Sequence, residues 1–320
     1  MIVTLTPNPS VDRTVTLDEP LQRGAVQRVV SVSSVAGGKG VNISRAAVAA
    51  GIPTVAVLPA SDDDPFVHEL LSAGIDCRPV PPAGDVRVNL AITEPDGTTT
   101  KLNSPGATVT QAVLDAMAQA MITRAATARW VVLAGSLPPG APVGWYAELV
   151  TALRATPAKI AVDTSDAPLA ALVDALPGSA PDLMKPNGHE LASFTGGDAD
   201  QLESDPSAAA RAARYLVDRG VSAVLATLGG NGAVLVTADQ AWFAPALPID
   251  VVSTVGAGDS SLFGYLLGEV RGLSPAERLG LGVAYGSAAA GLPGTTIPTP
   301  SQTEPDLVQV SLLNLPPEQS

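Results

Sequence analysis

The chain has one cysteine, Cys77, among 320 residues. An intramolecular disulfide and a cysteine-ligated zinc site are thereby excluded. Its two histidines, His68 and His189, are too few for a histidine-rich metal centre. Aromatic residues make up only 3%, so a core has to be built from Ala, Val and Leu. Lysine is rare, at positions 39, 101, 159 and 185. With 18 basic against 31 acidic residues, the formal charge is −13. That balance is the reverse of a nucleic-acid binder's and argues equally against a polybasic membrane contact, though an anionic ligand can still be bound where the few cations gather. No apolar run approaches the ~18 residues of a membrane span. The opening MIVTLTPNPS has no basic segment and no long apolar stretch. No signal peptide is expected, and the cytoplasm is the expected location.

Apolar residues make up 46%, ample for a core and incompatible with global disorder. The 30 glycines and 29 prolines exceed the usual combined share of ~12% and predict many tight turns. Segment 1–6 reads as a buried strand. Segments 11–17 and 26–35 alternate and are β-branched, with a turn near Arg23-Gly24. A small-residue helix over 41–50 is closed by Gly51, and a short strand covers 54–58. A second strand pair, 86–93 and 98–102, flanks the turn Pro95-Asp96-Gly97. Beyond it, helical stretches (111–124, 144–154, 206–219, 259–271, 275–290) alternate with short apolar strands (130–134, 159–162, 182–184, 223–227, 233–237). This alternation predicts an α/β body with a parallel sheet covered on both faces. The two strand pairs read as a small β-sheet lid inserted into it. A late strand is expected within 307–312.

Four segments could carry chemistry. Gly256-Ala257-Gly258 runs straight into a helical pattern. The amides of such a helix start bind phosphate, and Asp259 in the first turn could accept the proton of an attacking hydroxyl. The plainer reading is an acidic cap behind a glycine turn. Gly37-Gly38-Lys39-Gly40, followed by Asn42 and Arg45, lets a substrate approach the backbone beside a point charge; alone it also reads as a turn with a surface lysine. A Walker loop is disfavoured, because Gly40 follows the lysine where Ser or Thr is required. Lys185-Pro186-Asn187-Gly188-His189-Glu190 puts an amide and a carboxylate on one helix face, able to organise magnesium through water. The same spacing also fits a capping box. The turn 227–232 could pass close to a nucleotide or merely join two strands.

In this order, with Asn8-Pro9 and Asp12 ahead of them, these segments resemble the ribokinase-like family of sugar kinases over essentially the whole chain. Within it the chain is similar to the phosphosugar branch. That likeness rests on the opening MIVTLTPNPSVDRT, on Arg87 and Asn89, on Asn103-Ser104-Pro105-Gly106 after Lys101, and on 134–140 around Ser136. It departs at Ser10, at Asp85-Val86 before Arg87, and at 59–65, which lacks a glycine-rich turn.

The resemblance implies a single chain, 1–320, with a three-layer α/β/α body (1–10, 36–85, 103–320) and a lid (11–35, 86–102). It also implies a homodimer through the lids. Asp259 is implied as the catalytic base, with Gly256, Ala257 and Gly258 as the anion hole. Asp12, Gly38, Lys39 and Asn42 are implied at the sugar; Arg28, Arg87, Asn89, Lys101, Asn103 and Ser136 are implied around the phosphosugar. For ATP the implied set is Lys185, Asn187, Thr227, Gly229, Gly232, Ser253, Thr254 and Ser287. Asn187 and Glu190 are implied to hold Mg2+ through water. The reaction implied is phosphorylation of the 6-hydroxyl of fructose 1-phosphate. Tagatose 6-phosphate and fructose 6-phosphate are the alternative acceptors. More distant alternatives are a plain sugar or nucleoside kinase and a non-catalytic sugar-sensing module.

Overall fold

Valine-rich strands and alanine- and leucine-rich helices alternate along most of the chain. The computed structural model describes residues 1–82 and 84–315. Residues 83 and 316–320, expected to be part of the body, lie outside the described residues.

The chain opens with β1 (Ile2–Leu5), leaves the body through β2 (Ser10–Thr16) and β3 (Ser31–Gly37), and returns into α1 (Lys39–Ala49). Then come β4 (Thr54–Pro59), α2 (Pro65–Ser72) and β5 (Asp76–Val80), followed by a second excursion through β6 (Arg87–Thr93) and β7 (Thr99–Asn103). The middle of the body holds α3 (Gln111–Ala125), β8 (Trp130–Ala134), α4 (Trp145–Leu153), β9 (Lys159–Asp163), α5 (Asp166–Asp174) and β10 (Leu183–Met184). After it come α6 (Gly188–Thr195), α7 (Ala199–Ser204), α8 (Pro206–Val217), β11 (Ala223–Thr227), β12 (Ala233–Thr237) and β13 (Ala241–Ala244). The chain continues through α9 (Ala257–Val270) and α10 (Pro275–Ala290) to β14 (Ser311–Leu313).

The large sheet has the order β14-β13-β12-β11-β10-β9-β8-β1-β4-β5. Neighbours from β5 across to β11 are parallel, and β12, β13 and β14 extend the sheet antiparallel. Side chains alternate between its faces. Val3, Leu5, Val131 and Leu133 pack with Met117, Leu149 and Leu216 of α3, α4 and α8. Ile2, Trp130, Val132 and Leu225 pack with Ile43, Phe263 and Leu279 of α1, α9 and α10. This is the expected α/β body. The expected lid is also present, as a separate sheet of order β3-β2-β6-β7. Its two antiparallel pairs are joined by parallel pairing of β2 with β6.

Several boundaries differ from expectation. The strand expected over 26–35 starts only at Ser31, because β2 stops at Thr16, opposite Ser31, and beyond it only the Val30 amide still reaches β2, at Thr16 O. Val26 is accordingly 99% exposed. Helix α1 starts at Lys39 rather than 41 and ends at Ala49, one residue earlier than expected. The late strand is shifted to Ser311–Leu313, where β13 offers its edge. Helix α2 was not anticipated, although Asp64 caps it by accepting from Phe66 N at 2.8 Å and Pro65 occupies its first turn.

At the end of the sheet where β8 and β9 begin, Glu269 of α9 is 2% exposed. It accepts from Arg129 Nη2 at 2.8 Å, from Trp130 Nε1 at 2.9 Å and from Lys159 Nζ at 2.9 Å. Burial alone would raise its carboxyl, but these donors outweigh burial and hold it at about 2. The unfolded chain therefore takes up protons first on acidification, and this stabilisation is lost between roughly pH 5 and pH 2. Arg129 and Lys159 are about half exposed and can rehydrate. Glu269→Gln is expected to cost about 2 kcal/mol at neutral pH, and much less at pH 3. Urea unfolding at the two pH values checks this.

Candidate active site

Open α/β sheets bind ligands beyond the carboxyl ends of their strands. There, four segments far apart in sequence meet: β9 ends in Asp163, β10 leads into Lys185, α1 begins with Lys39 and carries Asn42, and α9 begins beside Gly256. Gly256 caps α9 at φ 81°, ψ −5°, a left-handed conformation that favours glycine. The amides of Gly258 and Asp259 that follow have no backbone acceptor among the described residues. The Ala257 amide reaches Thr254 O at 3.4 Å. Lys185 Nζ lies 3.3 Å from where a side chain on Gly258 would begin, so an ammonium flanks the bare amides.

Asp259 is buried in the first turn of α9. Its Oδ2 accepts from Asn42 Nδ2 at 2.8 Å, and its Oδ1 lies 3.6 Å from Lys39 Nζ. Lys39 Nζ in turn donates to both oxygens of Asp163, at 3.1 and 3.2 Å. Lys185 Nζ reaches the same carboxylate at 3.3 Å. Asp163 was not anticipated from the sequence; the available signal was a carboxylate closing an apolar parallel strand. One negative charge thus holds two ammoniums and leaves positive charge facing the start of α9.

The two buried carboxylates are pushed in opposite directions. Burial would raise Asp163, but Lys185 and Lys39 outweigh it and hold its carboxyl below the ordinary range. Burial raises Asp259, with Asp163 adding to it, against the opposing pull of Lys39 and Asn42. Burial draws the Lys39 ammonium down, yet Asp163 and Asp259 prevail and keep it charged. The two carboxylates, held in one polar cluster, thus differ in proton affinity, Asp259 having the higher.

The small sheet carries a second polar group, reached through Gly37, which lies against Asp12. Asp12 and Asn89 face each other across β2 and β6, with Asn89 Nδ2 donating to Asp12 Oδ1 at 3.1 Å. Ser10 Oγ donates to the same oxygen at 2.8 Å. Gly38 is packed on Thr6: a side chain there would begin 2.6 Å from Thr6 Cγ2, and its φ is 121°. Arg87 Nη1 donates to Ser104 O at 2.9 Å. Asn8 Nδ2 donates to Pro105 O at 3.0 Å and reaches Ser136 Oγ at 3.5 Å. Thr6 Oγ1, Arg87 Nε and Asn89 Oδ1 are buried without a hydrogen-bond partner among the described residues. Asn103 pairs with Asn89 at the end of β7. Arg28 and Lys101 are exposed and make no side-chain hydrogen bond among the described residues.

On the other side, Asn187 bridges to Thr227 at the end of β11. Asn187 and Glu190 form the capping box: Glu190 N donates to Asn187 Oδ1 at 2.8 Å, and Asn187 N donates to Glu190 Oε2 at 2.9 Å. Burial raises the Glu190 carboxyl, opposed first by Lys185. Its other oxygen makes no hydrogen bond among the described residues. Gly229 is exposed, whereas Gly232 is buried hard against Ala244 O. Ser253 Oγ accepts from Val255 N, Thr254 is exposed, and Ser287 Oγ accepts from Leu247 N at 3.1 Å. Ser287 is therefore already engaged in holding the segment that precedes α9. Among the described residues, no three His, Cys, Asp or Glu side chains are grouped to hold a metal, and no helix is long and apolar enough to cross a membrane.

Residues 6–302 match the model of the pfkB family carbohydrate kinases. A 1-phosphofructokinase of Haloferax volcanii is 39% identical over 301 residues, covering 93% of each chain. The tetrameric inhibited form of phosphofructokinase-2 from Escherichia coli superposes with a TM-score of 0.82 at 27% identity, over 92% of this chain and 95% of that one. Ribokinase from Arabidopsis thaliana, complexed with ribose and ATP, shares the fold with a TM-score of 0.71 at 21% identity, over 95% and 96% of the two chains.

Proposed function

We propose, from the premise that the chain belongs to the pfkB family of carbohydrate kinases, that it transfers the terminal phosphoryl group of ATP to the 6-hydroxyl of fructose 1-phosphate. The observation that carries this reading is Asp259, a buried carboxylate of raised proton affinity beside unpartnered helix-start amides. The sugar lies between lid and body, against Asp12, Asn42 and Asn89. Thr6 Oγ1, Asn89 Oδ1 and Arg87 Nε, without partners among the described residues, suit a polyhydroxy, phosphorylated ligand. Asp259 takes the hydroxyl proton as the oxygen–phosphorus bond forms, and the bond to the β-phosphate breaks with its electron pair leaving on ADP. The amides of Gly258 and Asp259, with Lys185 and Lys39 behind them, steady the charge on the migrating group. The lid excludes water, so the phosphoryl group is not lost to hydrolysis.

Mg2+ fits the residues present. Glu190 keeps one carboxylate oxygen outside its capping box, next to the Lys185 segment, and magnesium usually takes one or two carboxylates through retained waters. Glu190 and Asn187 would hold it, and when bound it neutralises phosphate oxygens. Thr227, Gly229, Ser253 and Thr254 border the nucleotide in this reading. The enzyme works in the cytoplasm. Val30, Val32 and Leu102, 61%, 55% and 55% exposed, give the lid an apolar surface suited to a homodimer.

The test is an ADP-release assay at fixed ATP and magnesium with fructose 1-phosphate, fructose 6-phosphate, tagatose 6-phosphate and ribose. Fructose 1-phosphate is expected to give the highest kcat/KM. A preference for either 6-phosphate would reassign the acceptor, and turnover of ribose alone would overturn the phosphosugar reading. Arg87→Ala is expected to raise the phosphosugar KM ~10-fold or more with kcat little changed, since a guanidinium fork suits a phosphate. An unchanged KM in that variant would remove Arg87 from the phosphate.

A further inference from the structure

The lid rejoins the body where β3 ends, and two side chains outside the site hold that junction. β3 is an edge strand, so some of its backbone groups turn away from β2. At Ala36, which stands opposite Val11, both backbone polar groups are taken by the body. Its N–H donates to both carboxylate oxygens of Glu69 on α2, at 2.9 and 3.0 Å. Its carbonyl accepts from Arg45 Nη2 on α1 at 3.1 Å. The same Nη2 donates to Glu69 Oε1 at 2.6 Å and closes the ring. Ala36 is buried in an apolar cluster with Phe66, Val67 and Leu70, against which Val11 and Val86 at the base of the lid pack. The next residue, Gly37, lies directly on the Asp12 carboxylate, and Lys39 follows two residues later.

We infer that Arg45 and Glu69 are positioning residues that fix the β3 hinge of the lid, and through it the placement of Asp12 and Lys39 for sugar binding. This rests on the kinase reading above. Charge-assisted bonds from two oxygens to one N–H restrain it sideways as well as along its axis. The Arg45 and Glu69 side chains are 20% and 41% exposed, a setting in which an ion pair contributes little to global stability. Their geometry therefore acts on where the strand enters the body more than on whether the body folds. Water can compete for such a pair, as a hinge that opens and closes requires.

The test compares wild type with Glu69→Ala and Glu69→Gln. Glu69→Ala is expected to raise the phosphosugar KM ~10-fold, to leave the ATP KM within about twofold, and to increase the share of ATP hydrolysed without sugar product. Glu69→Gln keeps an oxygen for the Ala36 amide but loses the charge toward Arg45, and should fall between. Hydrogen exchange over residues 34–39, which needs no activity, is expected to quicken in Glu69→Ala. If Glu69→Ala does not fold, Glu69→Gln and Arg45→Lys carry the same comparison. Unchanged exchange with an unchanged sugar KM overturns the inference; so do both KM values rising together alongside a fall in Tm. A wild type without sugar-kinase activity would instead count against the proposed function, and exchange would still judge the hinge.

Discussion

Asp259→Asn is expected to lower kcat by ~10²- to 10³-fold and to leave ATP affinity within about threefold. The asparagine is nearly isosteric, and its carbonyl oxygen can still accept from Asn42 Nδ2, the bond that fixes the present side chain. What is lost is the basic carboxylate to which the proposed mechanism assigns the hydroxyl proton. Asp163 cannot substitute, because its oxygens are occupied by Lys39 and Lys185 and its proton affinity is lowered. The pH profile gives an independent signature. A base with raised proton affinity must be deprotonated to act, so the wild-type rate should fall on acidification at a pH above the ordinary aspartate range. The residual rate of the variant should be flat over that interval. Steady-state rates from pH 5 to 9, with calorimetric titration of ATP, measure both. Near-wild-type turnover in Asp259→Asn would falsify the assignment of the base.

The parts of this site that were readable in the sequence are those whose physics is local. A left-handed glycine before a helix, a carboxylate in its first turn and an amide three residues ahead of a glutamate all announce themselves within a few positions. There the capping reading holds: Asn187 and Glu190 form the capping box, which still leaves one Glu190 carboxylate oxygen over. What was not readable depends on partners far along the chain. Asp163 looks like an ordinary strand end until Lys39, 124 residues away, and Lys185 are brought to it. The start of β3 is set by where β2 runs out, and β-branched residues at 26–30 could not reveal that. Glu69 sits in a helix that follows a run of aspartates, and its bonds to Ala36 and Arg45 exist only because α1 and α2 flank the same edge strand.

That dependence makes Asp163→Asn the most informative change after the base itself. It would leave Lys185, 4% exposed, and the more accessible Lys39 without their shared counter-charge. Removing one partner of a buried charge cluster costs about 3 kcal/mol or more, because the remaining charges stay desolvated. The loss should depend on pH. Asp163 is held below the ordinary range in the folded state, so its stabilisation is present above about pH 4 and fades as the pH falls further. Unfolding curves of wild type and variant should therefore converge in acid. The catalytic consequence runs through Asp259. Asp163 raises its proton affinity, and it also occupies the ammonium of Lys39, which lowers it. Without Asp163 both effects act in the same direction: the repulsion is gone and Lys39 is free to turn to Asp259. The acid limb of kcat should then move to lower pH while the maximal rate drops, as the positive charge behind the Gly258 amide loses its fixed position. A variant that keeps wild-type stability and an unmoved acid limb would mean that Asp163 does not organise these lysines, and that Lys39 answers to Asp259 alone.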